Sequence, residues 1–218
     1  MRSNLCISAT LLLASVGPGL VSAQVCSGEA SFNGSPARFF ASGAFGSSST
    51  YHGGLALGSS LLFGSVEAGM TTYARDETVD YRGAFGVQVP RHDDRIQLCP
   101  QLLVSLNVAK DVHGLGVDYK EMMAGGGIDA GYVVFRKGNT RIVPTVSFGL
   151  LGGRIKYSYS NGAHRTRDAD AFGIFTTGVG FGLNRQFTIS PSVAFPLGLP
   201  GATTWYGVAF SVRMSKED

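Results

Sequence analysis

Three of the four histidines offer the first chemistry to weigh. His52 lies in Ser48-Ser49-Thr50-Tyr51-His52-Gly53-Gly54, His113 follows Lys110-Asp111-Val112, and His164 precedes Arg165 and Arg167. A histidine held by an acid can act as a general base, and Asp118 and Asp168 lie within reach in sequence of His113 and His164. No nucleophile stands beside these bases at a recurring spacing, and the intervals between the histidines do not suit metal ligands. All three fall in segments that read as loops, where a solvated ring is the simpler reading. Two glycine runs, Gly125-Gly126-Gly127 and Gly178-Val179-Gly180-Phe181-Gly182, sit inside strand-like patterns with no helix after them, so they are not phosphate loops. No catalytic, cofactor-binding or metal-binding residue is assigned, no cofactor is implied, and the chain is expected not to be an enzyme.

A second set of charges interrupts apolar alternation. Glu67, Asp80, Arg82, Asp129 and Arg213 each occupy the polar phase of a period-two pattern. In a narrow closed sheet they would point inward and have to pair with one another. The expectation is a network of ion pairs inside a barrel, with a charged constriction in a small pore as the functional alternative. The inward glycines Gly125, Gly127, Gly149, Gly178 and Gly180 would leave room for neighbouring side chains, and the lumen is expected to be mostly plugged.

Of three cysteines, Cys6 lies in an N-terminal stretch with the marks of a secretory signal. Arg2 supplies a positive end, Leu5 to Val16 an apolar centre, and Val21-Ser22-Ala23 a small-residue cleavage site. Gly17-Pro18-Gly19 makes that apolar run too short for a spanning helix, and Gln24-Val25 before Cys26 is a poor lipidation context. Cys26 and Cys99 remain in an exported chain, so a disulfide between them is expected. It would draw the polar lead 24–37 into one barrel mouth as a partial plug.

The elements that must position these groups are strands. Charged residues are 15% of the 218, against roughly 25% in soluble domains, and 31 residues are glycine. The formal charge of +3 falls by one when Arg2 leaves, too little to point to nucleic acid. The last segment is the clearest. Tyr206, Val208, Phe210, Val212 and Met214 alternate with Gly207, Ala209, Ser211 and Arg213, so one face meets an apolar medium. Similar alternation marks segments near 38–47, 54–57, 61–75, 79–89, 96–108, a sixth ending at Phe135, 141–159, 169–183 and 187–197.

Residues 48–54 and 74–78 are expected to be loops, and 160–168 the most polar loop. Gly152-Gly153 is expected to be a bulge that turns Ile155, Tyr157 and Tyr159 outward. Ten antiparallel strands result, eight if the short second segment and one other lie outside the sheet. A β-sandwich would use the same alternation. Short connections at 58–60, 90–94, 136–139 and 184–185, against mostly longer ones between them, favour a transmembrane up-and-down barrel. So does the placing of seven of the eight tyrosines at one set of strand ends. Pro100, Pro144 and Pro191 fall a few residues inside their strands at the other end, each at the cost of a ladder hydrogen bond.

The ten segments and the run Gly207-Val208-Ala209-Phe210-Ser211-Val212 resemble the small outer-membrane β-barrel proteins of Gram-negative-type bacteria, of the OmpX and OmpA barrel type. The family's closing strand usually ends on an aromatic residue, whereas this chain continues through residues 215–218 as a tail. The resemblance implies a cell outer membrane location for a barrel over 38–214, lipid and lipopolysaccharide as surroundings, and a likeness to porins in build. It also implies that Gly207, Phe210 and Val212 are read by the barrel-assembly machinery. His164, Arg165 and Arg167 would then contact lipopolysaccharide phosphates or an external partner. The expected role is envelope integrity or surface contact by a monomer, with a narrow solute channel or a rim-site enzyme as alternatives.

Overall fold

In the computed structural model the described residues are Cys26, 37–46, 48–58, 61–73, 76–90, 95–183, 186–198 and 203–214. The signal stretch, all of the lead but Cys26 and Ala37, and the tail 215–218 lie outside them. The strands are β1 (Ala37–Phe45), β2 (Ser49–Gly58), β3 (Leu62–Tyr73), β4 (Asp76–Val87), β5 (Val89–Pro90), β6 (Ile96–Ala109), β7 (Val117–Tyr132), β8 (Phe135–Lys137), β9 (Thr140–Tyr159), β10 (His164–Leu183), β11 (Phe187–Leu197) and β12 (Trp205–Arg213). One 3-10 turn, Val112–Gly114, precedes β7.

Short β5 continues β4 against β6, and short β8 continues β7 against β9. The ten long strands pair antiparallel in chain order, and β12 pairs back onto β1 to close a barrel. Closure leaves no sheet edge, so every long strand has a partner on both sides. Eight strands are ruled out because the second segment is a full strand of ten residues, paired from Ser49 to Gly58. Its start was hidden in the expected loop 48–54, which is strand from Ser49 onward; just before it, Gly46 N–H donates to the Ser48 carbonyl at 2.9 Å. The expected loop 74–78 is likewise mostly strand, because β4 begins at Asp76.

Alternation decides the faces as expected. Leu102, Val104, Val66, Phe85, Phe210 and Tyr206 point outward and are largely exposed, Leu102 at 67%. Phe40, Phe63, Ser65, Asp80, Gln97 and Asp129 point inward and are buried. The interior is thus the more polar side and the exterior the apolar one.

The prolines coincide with gaps in the ladder. Between β4 and β6, pairing stops at Gly86↔Gln101 and resumes at Val89↔Leu98, across from Pro100. Between β10 and β11 it skips from Gly178↔Ser192 to Phe181↔Ile189, around Pro191. Pairing of β7 with β9 ends at Gly131↔Thr145, beside Pro144, and the β8 register has slipped by one residue. A residue without an N–H leaves one bond unmade at each place.

The expected bulge at Gly152-Gly153 is not there. Register between β7 and β9 runs unbroken through both glycines, and the bulge lies on β10, between Ala169 and Phe172. Ile155 therefore faces inward and is buried, while Arg154 and Lys156 are exposed on the outer side. The pattern changes because β9 and β10, at 20 residues each, run far past the 9-residue β1, so their outer faces leave the apolar belt.

Candidate functional site

The interior divides into a packed end and a cavity. The packed end is where β2–β3, β8–β9 and β10–β11 turn. Cys26 lies there against Cys99, Sγ to Sγ 2.08 Å and Cα to Cα 5.5 Å, as a disulfide requires. The pair packs with Phe63, and Cys99 is fully buried. Gln97 Nε2 donates to Gln88 Oε1 at 2.8 Å, and both amides are buried. The expected pairing thus places the lead's cysteine inside the barrel mouth.

Large inward side chains lie over glycines of the next strand. A Cβ on Gly86 would meet the Phe63 ring at 2.6 Å, and one on Gly54 would meet Phe40 Cζ at 2.6 Å. A missing side chain on one strand is what lets an aromatic ring lie flat from its neighbour.

Farther along the lumen the same device positions His52. The space a Cβ on Gly69 would need is taken by the imidazole. Register sets His52 beside Gly69, Gly69 beside Asp80, and Glu67 beside Arg82. His52 Nδ1 is 3.2 Å from Glu67 Oε2, and Nε2 is 3.4 Å from Asp80 Oδ2. The first contact has hydrogen-bond geometry; the second is charge proximity, and Nε2 has no hydrogen-bond partner. His52 is 5% exposed and Asp80 3%. Asp80 is held further by the hydroxyls of Thr71 and Thr78, the latter at 3.3 Å, and Thr71 meets Thr50 Oγ1 at 3.0 Å. Asn107 Nδ2 donates to Glu121 Oε2 at 2.7 Å one strand pair on.

The expected inward charges are therefore partly brought together. Glu67, Asp80 and Arg82 share one wall, on β3 and β4. Asp129 is buried lower down, opposite Cys99 across β6–β7. Arg213 sits at the packed end, in register with buried Arg38. His52, read from sequence as a loop residue, is the centre of the cluster. Extending the outward phase of Leu57, Leu55 and Tyr51 back along β2 would have put it inward, but Gly53 and Gly54 erase that signal.

The other sequence candidates lie elsewhere. His113 lies in the 3-10 turn, and Asp118 Oδ1 accepts from the Asp111 backbone N–H at 3.2 Å. His164, Arg165 and Arg167 are in β10, not in a loop, and are exposed on the projecting β9–β10 hairpin. There His164 Nδ1 is 3.1 Å from Ser158 Oγ, and Asp168 accepts from Arg154 Nε at 3.3 Å. Of the closing-strand residues, Phe210 and Val212 face outward, while Gly207 lies 3.2 Å, at its Cβ position, from Ser192 Oγ.

Beyond the packed end a cavity of about 790 Å³ fills the lumen and reaches Ser48 and Tyr119. Its β2–β7 wall carries His52, Glu67, Arg82, Asn107 and Glu121, beside Leu103 and Met123. Its other wall carries Leu151, Phe172, Ile174, Ala194, Trp205 and Ala209. Chemically, the His52 cluster is poorly suited to nucleophilic catalysis. Both ring nitrogens face carboxylates, which leaves neither to take a proton from an attacking hydroxyl.

These features define a closed antiparallel β-barrel with a polar lumen and an apolar outer wall. No model of a known protein family matches the chain, and no curated protein matches it either.

Proposed function

We propose that the chain is an integral outer-membrane β-barrel protein, non-enzymatic, that serves envelope integrity or surface contact. The observation that carries this reading is the inverted polarity of the barrel. Leu102, Val66, Val104 and Phe85 form an outward belt that water would not favour, around an interior of buried Asp, Gln, His and Ser. A strand crosses a bilayer in about 9–11 tilted residues, which the long strands supply. Aromatic residues flank the belt: Phe45, Tyr51, Tyr81 and Tyr206 at one level, Tyr132, Phe135 and Phe187 at the other. In this reading residues 1–23 are the cleaved signal and the packed end is periplasmic. Gly207, Phe210 and Val212 address the assembly machinery, and the β9–β10 hairpin carries Arg165 and Arg167 to the surface, towards lipopolysaccharide or an external partner.

The test is the native fractionation of the protein, followed by gel migration before and after boiling. Recovery in the outer-membrane fraction with a heat-dependent band supports the reading. A water-soluble protein without such a band overturns it. A narrow channel is the second reading, favoured by the cavity and opposed by the packed Cys26–Cys99 end. Stepwise single-channel conductance in planar bilayers would establish it.

A further inference from the structure

We propose that Lys120 and Lys156, with Arg154 beside them, form a site on the outer wall of the barrel for the phosphate of an anionic lipid. The site rests on the outer-membrane reading and deepens it by naming the side chains that meet a lipid headgroup.

Alternation and register place these cations. Ile155 is buried on the inner side and pairs with Glu121, which lines the cavity. Lys120 and Lys156, one residue away on each strand, therefore point outward, are exposed, and stand directly opposite each other. The row they share runs Val108, Lys120, Lys156, Thr166 across β6, β7, β9 and β10, and it holds no acid. In the row below, Arg154 is met by Asp168, Nε to Oδ1 3.3 Å. In the row above, Asp118 lies opposite Ser158 and accepts from the Asp111 backbone N–H at 3.2 Å. Among the described residues neither lysine has an ion-pair or hydrogen-bond partner. Like charges directly opposite on a sheet repel, and an anion between them removes that cost. Only Nε of Arg154 is engaged, so its Nη groups can donate to the same phosphate.

The apolar belt selects what carries the anion. Beneath the lysines the outward face is hydrocarbon, with Met122 58% and Leu150 53% exposed. An acyl chain lying there brings its headgroup to the height of the lysines, whose stems follow the belt while their ammonium groups reach the headgroup layer. The aromatic margin is interrupted at this place. On β1, β2, β4 and β12, Phe45, Tyr51, Tyr81 and Tyr206 face outward. The tyrosines of β7 and β9 at that end, Tyr119 and Tyr157, take the inner phase instead and meet each other, ring centroids 5.8 Å apart. The outer positions next to them are left to Lys120 and Lys156.

The protein, folded in an uncharged detergent, would be titrated with dioleoyl phosphatidic acid and with dioleoylglycerol, its phosphate-free counterpart, and the bound lipid counted by native mass spectrometry. The expected result is saturable binding of phosphatidic acid, about tenfold or more tighter than that of dioleoylglycerol. Lys120→Gln and Lys156→Gln should each weaken it about fivefold, and the two together more than either. Lys137 is exposed at the packed end, and Lys137→Gln should leave the binding unchanged. Binding indifferent to both Lys120→Gln and Lys156→Gln would overturn the proposal. So would an equal loss with Lys137→Gln, which would mean bulk charge only, or displacement of the lipid by inorganic phosphate at equal concentration, which would mean an adventitious ion only. A barrel with its heat-dependent band but no lysine-dependent lipid removes the site and leaves the outer-membrane reading standing. A water-soluble chain without that band removes both.

Discussion

The two walls of the lumen obey the same alternation and solve opposite problems. On β2–β7 the inward positions include the charged and amide-bearing groups of the cavity, beside Leu103 and Met123, and these groups are answered by close neighbours: His52 by Glu67 and Glu121 by Asn107 across the ladder, Asp80 by Thr71 across it and by Thr78 on its own strand. On β9–β12 and β1 the positions facing the cavity are uncharged, with Gly149, Ala194, Gly207 and Ala209 beside Leu151, Phe172 and Ile174 and hydroxyls from Ser42, Ser147, Thr176 and Ser192. One wall is cross-linked by directional contacts; the other contributes space. Position in the register, not composition alone, decides which wall holds the barrel rigid and which leaves it hollow.

If that contrast is right, breaking the polar wall should have the largest effect. His52→Ala leaves buried Asp80 and half-buried Glu67 with no ring between them and should cost about 3–5 kcal/mol, read by urea unfolding in detergent. Gly69→Ala keeps the ring but evicts it from its seat, and a smaller loss of about 1–3 kcal/mol is expected from overpacking. A neutral Gly69→Ala would show that the ring is not held there.

The inside can also be set against the outside. Leu102→Arg puts a charge on the apolar belt. In lipid it should destabilise folding by about 2–4 kcal/mol, measured by refolding into vesicles of defined lipid. No loss would argue that this face meets water. The packed end provides a third contrast. Cys99→Ser frees a link across a separation of 73 residues and should cost about 2–4 kcal/mol. Unchanged unfolding with and without reductant would deny the tie its structural role. The smallest effect belongs to the hollow wall. Leu151→Ala faces the cavity and should cost about 1 kcal/mol, below the range for packed cores. A loss equal to that of His52→Ala would erase the distinction between the walls.

Much of this architecture was legible in the chain itself. Period-two alternation named the apolar and polar faces of β3, β4, β6, β11 and β12. The short turn sequences placed most hairpins, and two cysteines in a chain read as exported gave a pairing that the barrel then joined. These are local signals: one strand's side chains alternate whatever its neighbour does.

What needed the tertiary structure was everything set by neighbours. β2 was half-hidden because Gly53 and Gly54 carry no side chain to show alternation, and only pairing with β1 and β3 reveals the strand and turns His52 inward. The change of pattern after Leu150 read as a bulge at two glycines, yet it records β9 leaving the apolar belt while its ladder continues. The meeting of His52, Glu67 and Asp80 depends on the register of three strands at once. A slip of a single residue in any of them would send its side chains to the other face. Sequence spacing fixes which way a side chain points; only cross-strand hydrogen bonding fixes which side chain it meets.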